Sequence, residues 1–361
     1  MKRIIKVVIL LTLVLLTLKA ESREAARTIL SLPTGTTTVT VGGDINGIAV
    51  DPTSGSILLS DFMSNKVIFY LGKTGGEIFT MAKNIPTGSS DMTYIHNPLA
   101  VAFDSSTNKF FVANSNAPDT SVTMTIAPLI TVINNIGGTV PSMNLDNLSL
   151  GSNAIFSGIA IDPDNHIAFF SDYNNNKIIR LKTDTLTIER DISPAGGTPA
   201  GLAYDPTTGF LYVANSLDKL ITIIETQLEG GSPDATSTRQ PIKLSFEPHG
   251  IGVNPSTGSV FVGKRSNSFE ILTLNDDDST YSSINPIVES GTVAIDDVND
   301  RAFIVNNTQG TLTVIDTVTN KIKNVYAVDS ARSVAYNPTT NKVFVGTSDG
   351  KLFVISATGR F

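Results

Sequence analysis

One fifteen-residue pattern recurs seven times along the 361-residue chain, and it constrains the fold more than any other feature. The copies are GIAVDPTSGSILLSD (47–61), AVAFDSSTNKFFVAN (100–114), GIAIDPDNHIAFFSD (158–172), GLAYDPTTGFLYVAN (201–215), GIGVNPSTGSVFVGK (250–264), TVAIDDVNDRAFIVN (292–306) and SVAYNPTTNKVFVGT (333–347). Each reads as a strand ending in an acid or amide, a tight turn and a second strand. The acid or amide falls at Asp51, Asp104, Asp162, Asp205, Asn254, Asp296 and Asn337, so consecutive copies are 41 to 58 residues apart. Self-similarity at that period signals a propeller or a solenoid rather than a string of separate domains.

Each copy continues in the same way. A β-branched, aromatic or leucine-rich run follows the second strand: KVIFYL (66–71), LITVIN (129–134), KIIRLK (177–182), LITIIE (220–225), FEILTL (269–274), TLTVID (311–316) and KLFVIS (351–356). Such runs, bounded by Gly, Asn, Asp and Ser, read as third strands. Weaker fourth strands follow, as in TIERDI (187–192) and KIKNVY (321–326). Four antiparallel strands with short connections make one propeller blade. The expected fold is therefore all-β, a seven-bladed propeller over residues 36–361. The last copy lacks a fourth strand, and TTTVTVGG (36–43) is a strand without a copy of its own. The N-terminal strand is expected to complete the last blade, which removes two exposed edges.

The turn chemistry gives the repeated acid a structural meaning. Asp or Asn can accept a hydrogen bond from the backbone two residues on, Pro presets φ, and Gly supplies a positive φ. Asn replaces Asp at 254 and 337, a swap that a turn tolerates and a catalytic carboxylate does not.

The segments FFVANS and LYVANS, with DPTTG before the second, resemble the YVTN β-propeller repeats of exported bacterial and archaeal proteins. GIAIDPDNHIAFFSDYNNNKIIRL (158–181) is similar to the related NHL repeat. The resemblance implies the fold over residues 36–361 and export. It leaves the activity open among surface proteins, periplasmic binding proteins and lactonase-like enzymes. The WD-type repeat is excluded, because the chain has no tryptophan.

Residues 1–20 have the form of a secretory signal: Lys2, Arg3 and Lys6, then the apolar run Val7 to Leu18, then Ala20 as a cleavage position. The run is shorter than the ~20 residues that span a bilayer, so no membrane span is expected after cleavage. Residues 21–35 read as a lead-in. The expected location is periplasmic, cell-surface or secreted. Zero cysteines exclude disulfides and a cysteine-anchored lipoprotein. Removing residues 1–20 takes away four basic groups and no acidic one, leaving 22 basic against 33 acidic residues and a net charge of −11. That balance argues against a nucleic-acid partner.

In a four-strand meander, loops entering the first strand and loops leaving the second lie at one end of the blades. Five residues before each repeated acid stand Asn46, Leu99, Ser157, Ala200, His249, Gly291 and Arg332, an inner set at that mouth. Asp61, Asn114, Asp172, Asn215, Lys264, Asn306 and Thr347 end the second strands and form an outer set. Binding is expected from Asn46, Asp61, Asp172, Glu247, His249, Lys264 and Arg332. Glu247-Pro248-His249-Gly250 places a carboxylate and an imidazole at the mouth, as a metal ligand or base or as a tunnel-lining histidine. Insertions at 84–97, 115–128 and 135–157 carry the apolar Met92, Tyr94, Met124 and Ile126. Long loops in a compact repeat often carry function.

These features favour an exported, non-catalytic propeller that binds a protein or a surface glycan through one end. The alternative is a lactone or ester hydrolase assisted by calcium or magnesium. The Asn46-Gly47 entry and the acidic mouth are similar to a calcium-dependent lactonase, whose hard cation wants oxygen ligands. Leu99, Ala200 and Gly291 stand where that resemblance asks for ligands, and Arg332 adds a positive charge. No cofactor is firmly expected. Asp276–Asp278 and Asp296, Asp297 and Asp300 read as solvated turns.

Overall fold

The computed structural model describes residues 29–71, 77–82, 95, 97–115, 129–134, 147–149, 154–193, 196–226, 239–264, 269–274, 281–284 and 292–358. The expected signal, Gly291, His96 and nearly all of the inserted loops lie outside them.

The described residues form seven four-stranded antiparallel sheets. A lone strand comes first, β1 (Thr37–Thr40). The first complete sheet is β2 (Ile45–Val50), β3 (Ile57–Asp61), β4 (Lys66–Leu71) and β5 (Glu77–Ala82). The second is β6 (Pro98–Asp104), β7 (Lys109–Asn114), β8 (Leu129–Asn134) and β9 (Asn147–Ser149). The third is β10 (Phe156–Asp162), β11 (Ile167–Asp172), β12 (Lys177–Lys182) and β13 (Thr187–Ile192). The fourth is β14 (Pro199–Asp205), β15 (Phe210–Asn215), β16 (Leu220–Glu225) and β17 (Ile242–Lys243). The fifth is β18 (Pro248–Asn254), β19 (Ser259–Lys264), β20 (Phe269–Leu274) and β21 (Tyr281–Ile284). The sixth is β22 (Val293–Asp296), β23 (Arg301–Asn306), β24 (Thr311–Asp316) and β25 (Lys321–Ala327). The last is β26 (Ala331–Asn337), β27 (Lys342–Thr347) and β28 (Lys351–Ser356), with β1 as its outer strand. Thr37 pairs with Val354 and Thr40 with Lys351. Small antiparallel sheets repeated in this way are a β-propeller.

The second strands explain why this sequence chooses sheets stacked face to face. β3, β11 and β23 are buried along their whole length, since both of their faces meet a neighbouring sheet. Alternate residues serve opposite neighbours. On β11, Ala168 and Phe170 join the cluster shared with the second sheet, while Ile167 and Phe169 join the one shared with the fourth. Such a strand reads as a continuous apolar run, as FFVAN and AFFS do. Every pair of consecutive sheets has its own apolar cluster. The seventh cluster joins the last sheet to the first: Phe344 and Leu352 pack with Ile45, Ile57, Leu59 and Ile68, and Val39 and Val41 lie against them.

The repeated acids and amides are turn formers. The side-chain oxygens of Asp51, Asp104, Asp205, Asn254 and Asn337 each accept the backbone N–H two residues on, at 2.8 to 2.9 Å. Asp162 and Asp296 accept it three residues on, from Asn165 at 3.2 Å and Asn299 at 3.1 Å. All seven side chains are buried, so these bonds replace the hydration that burial removes.

Two features differ from the sequence reading. The lead-in is paired: Leu30 bridges Tyr326 in parallel beside β25, with Leu30 N–H on Val325 O at 2.8 Å. Six of the seven first strands also begin earlier than the repeated pattern, because each takes up a bulge near its start, whereas β22 begins at Val293 and pairs without a slip.

Candidate functional site

That bulge is where the inner set of residues sits. Pairing slips between Ile45 and Gly47, Pro98 and Ala100, Phe156 and Gly158, Pro199 and Leu202, Pro248 and Ile251, and Ala331 and Ser333. The residues carried over the slips include Asn46, Leu99, Ser157, Ala200, His249 and Arg332 (Gly291 lies outside the described residues). A bulge re-aims a side chain and bends the strand without ending the pairing around it. Six residues spaced along the whole chain are thus presented at one end by the same backbone device.

The bulges also fasten neighbouring sheets. Ser171 Oγ donates to Ala200 O at 2.6 Å, Ser60 Oγ to Leu99 O at 3.4 Å, Ser216 Oγ to Pro248 O, and Ser333 Oγ to Ile45 O at 2.8 Å. Each hydroxyl belongs to one sheet and each carbonyl to the next. The glycine that opens the repeat is explained by the same contact. A Cβ on Gly158 would overlap Ala200 O, and one on Gly201 would overlap His249 O. These glycines permit close approach of two backbones.

Most of the outer set is occupied by structural bonds. Asp172 Oδ1 accepts Asn175 N–H at 3.2 Å and Ile155 N–H at 3.3 Å, and its Oδ2 accepts Asn175 Nδ2 at 2.7 Å. Asp61 Oδ1 accepts Ser64 and Asp44 N–H, both at 3.1 Å. Asn306 accepts Gln309 N–H at 2.8 Å. Asn114 and Asn215 donate to Thr131 and Thr222 Oγ1 on the neighbouring third strands, at 2.9 and 2.8 Å. Asp61 and Asp172, expected as binding residues, are therefore buried caps of the hairpin between second and third strands. Asn306 also opens an Asn-X-Thr sequence, and in the folded chain its side chain is completely buried.

Three of the expected residues do come together, where the first sheet meets the last. Arg332 Nε stands 3.1 Å from Asp44 Oδ1, a charge contact rather than an aligned hydrogen bond. With its amide turned so that nitrogen donates to Asp44 O at 2.8 Å, Asn46 Oδ1 accepts from Arg332 Nη2 at 3.1 Å and Nε at 3.3 Å. Asp61 lies behind, bonded to Asp44 N–H and facing Lys66 Nζ at 3.3 Å. Gly43, at φ +84°, leaves the space that Asp61 fills. His249 is exposed on its bulge and Glu247 half-buried, on the fifth sheet, and Lys264 ends β19 opposite Pro248. Residues from the first, fifth and last sheets thus share one end of the propeller without forming a single cluster.

Asp44 is the member that the sequence reading missed. Burial pushes its carboxyl above the ordinary value of 3.8, Arg332 pulls it back, and Asp61 adds to the rise. The folded chain therefore holds this proton more tightly than the unfolded chain. Stability falls as pH rises from the ordinary aspartate value through the raised native one. Asp44→Asn is expected to raise the thermal midpoint at about pH 7 and to flatten the pH dependence in that window. Thermal unfolding of both proteins across mildly acid to neutral pH checks this. A lower midpoint for the variant at every pH would mean that pairing with Arg332 outweighs the cost of burial.

Among the described residues, no three of His, Asp, Glu or Cys come together as a metal-binding group. Asp61 Oδ1 and Asp172 Oδ1 already serve backbone N–H groups, Asp172 Oδ2 accepts Asn175 Nδ2, Asp61 Oδ2 faces the Lys66 ammonium at 3.3 Å, and Arg332 stands beside Asn46. This donor set does not fit a calcium or magnesium ion, which needs several free oxygens converging on one point.

No family model matches the chain, and no curated protein matches it. Among solved structures it is similar to selenomethionine-substituted virginiamycin B lyase from Staphylococcus aureus, with a TM-score of 0.65 at 13% identity, over 88% of this chain and 98% of that one. At that identity the likeness is one of architecture: this chain is a β-propeller, and a neighbour of that fold is an enzyme.

Proposed function

We propose that this chain is an exported, non-catalytic propeller of the YVTN type, which captures a protein or a surface glycan at the end where the bulges lie. In this reading the seven sheets are the blades of one closed ring, with β1 completing the last blade. The pairing of β1 with β28, the cluster shared by the last and first sheets, and the Ser333–Ile45 bond support closure. The observation that carries the functional reading is the division of labour at the bulged end. The residues that recur are bound up in turns, while the residues that differ from sheet to sheet stand on bulges.

Export rests on the signal-like residues 1–20. Among the described residues no helix is long and apolar enough to cross a membrane. This reading assigns the insertion at 115–128, which lies outside the described residues from 116 on, to the capture surface. Deleting residues 116–127 is expected to abolish capture of the partner in a pull-down from the native cell envelope, with little change in thermal unfolding. Retained capture by the shortened chain would remove this loop from the binding surface.

A hydrolase is the second reading; the structural neighbour is a lyase, so it supports this reading only in that the fold can carry an enzyme. It predicts a thermal shift with millimolar calcium or magnesium, since a ligand bound only to the native state stabilises by mass action. It also predicts lactone turnover. With neither, the catalytic reading fails.

A further inference from the structure

The joint between the first and last sheets holds more than a joint needs. Its Ser333–Ile45 bond is the same serine-to-bulge fastener that joins other neighbouring sheets, and an apolar cluster fills the interface beneath. The corresponding joints at Leu99 and Ala200 do without any charged residue on the bulge. Arg332 and Asp44 are therefore additional to the fastening, and what they hold is Asn46.

Asn46 precedes Gly47, and no other asparagine in the chain is followed by glycine. Asparagine is a thermolabile residue, most of all before glycine, which has no Cβ to shield its backbone nitrogen. Once solvent removes its proton, that nitrogen can attack Cγ of the asparagine side chain. A new carbon–nitrogen bond closes a five-membered imide, the side-chain carbon–nitrogen bond breaks and ammonia leaves. Water then opens the imide at either carbonyl, giving aspartate or isoaspartate. Packing keeps the glycine in place. A Cβ on Gly47 would lie 2.8 Å from Ser60 Oγ and 3.2 Å from both Leu99 O and Val101 Cγ2.

Ladder bonds do not hold Asn46 still. It is carried over the slip between Ile45 and Gly47, and a bulge leaves its extra residue unpaired. Its side chain is held instead. Nδ2 donates to Asp44 O at 2.8 Å, and Oδ1 accepts from Arg332 Nη2 at 3.1 Å and Nε at 3.3 Å. Asp44 Oδ1 stands 3.1 Å from Arg332 Nε and steadies the guanidinium. For Cγ to swing onto the Gly47 nitrogen, the contacts to the amide must break. We infer that Asn46 is the deamidation site of this chain, and that Arg332 and Asp44 are positioning residues that hold its amide away from Gly47.

Reaction there would undo the joint. Isoaspartate lengthens the main chain between Ile45 and Gly47, whose pairing with Asp61 and Ser60 sets the bulge. Ile45 O takes the Ser333 fastener, and the Ile45 side chain is buried in the cluster shared by the two sheets. This role of Arg332 holds whatever the bulged end captures.

The test follows the purified chain over time at mildly alkaline pH. Aspartate and isoaspartate at position 46 are measured by mass spectrometry of the tryptic segment 28–66, and the chain unfolded in denaturant gives the unprotected rate. The folded chain should react at least about tenfold more slowly, the scale of breaking hydrogen bonds to a charged group. Arg332→Gln should bring the folded rate towards the unfolded one at Asn46 and leave Asn215, buried on the fourth sheet, unchanged. The unfolding midpoint shows that the variant is folded. If it is not, Arg332→Lys, which keeps the charge and loses the planar fork, gives the same comparison. Equal rates in the folded and unfolded wild-type chain overturn the inference. A faster folded rate does so too, since Arg332 would then stabilise the oxyanion of the attack. Undiminished protection in the folded variant also overturns it, as does equal acceleration at Asn215, which would mark general loosening.

Discussion

A chain lacking residues 29–41 is expected to lose the cooperative unfolding of the full chain, a loss comparable with the ~5–15 kcal/mol that holds an ordinary domain together. Several contacts go at once. β1 leaves β28 as a bare edge. Val39 and Val41 leave the cluster between the last and first sheets, and Leu32 leaves the one between the sixth and last. Val41 N–H loses Gly350 O at 2.9 Å, and Leu30 no longer bridges to Tyr326. With no cysteine in the chain, no covalent link compensates. Calorimetry on the two proteins reads the effect. Adding a synthetic peptide of residues 29–42 should restore part of the transition, because strand addition to an open edge supplies the same backbone bonds. A truncated chain melting within a few degrees of the full one would show that the last sheet stands without β1.

Arg301→Ala is expected to cost about 3–5 kcal/mol, the scale for removing one partner of a buried ion pair. Arg301 begins β23 and is 5% exposed, beside a fully buried Asp296. Its Nε and Nη2 reach Asp296 Oδ2 at 2.9 and 2.5 Å, and its Nη1 donates to Ala357 O at 2.6 Å. A further bond runs from Nη2 to Asn341 Oδ1 at 3.2 Å, and the guanidinium lies 5.5 Å from the Phe303 ring centre. One side chain therefore joins the turn of the sixth sheet to the end of the last strand. Alanine would strand the Asp296 charge and release Ala357 together. Denaturant unfolding measures the loss, and a value under about 1 kcal/mol would place Asp296 in contact with water. Asp296→Asn combined with Arg301→Ala should recover part of it, since the stranded charge is then absent.

Much of the fold was legible because its periodicity is local. The third strands read from sequence as 66–71, 177–182, 220–225, 311–316 and 351–356 are β4, β12, β16, β24 and β28, residue for residue. The turn role of Asp205 and its equivalents was legible from the swap with Asn, and the bonds to backbone N–H bear it out. The outermost strands were legible only in part. β17 is two residues long, because an outer strand needs little apolar content of its own. The bulges left no signature in residue type, since Asn46, Leu99, Ser157, Ala200, His249 and Arg332 share none. They are backbone geometry, fixed by the approach of the next sheet.

The candidate site divides along the same line. Asp61 and Asp172 stood out because they are acidic and end a strand, and those properties equally make a hairpin cap. Asn46 and Arg332 were legible as irregular members of a regular series. Asp44 was not, because its role depends on Arg332, which lies at the far end of the chain. A weak signal was present in Gly42-Gly43-Asp44, an acid set behind two glycines just before the first copy. Both glycines have positive φ, +75° and +84°, and the second gives Asp61 its space.

The pairing of Thr37 with Val354 has a consequence for biogenesis. Six of the sheets are built from strands consecutive in sequence, so each can assemble soon after its own segment emerges from the ribosome. The last sheet joins strands more than 300 residues apart, and its outer strand must wait until β28 has been made. Contacts at such separation form late, because the loop they close takes in all the other sheets. Until then β1 is an unpaired strand and the emerging β28 has an open edge, the period in which pairing with another chain competes. The rate at which a translocated or newly made chain reaches its native state should be set by this single encounter between its two ends.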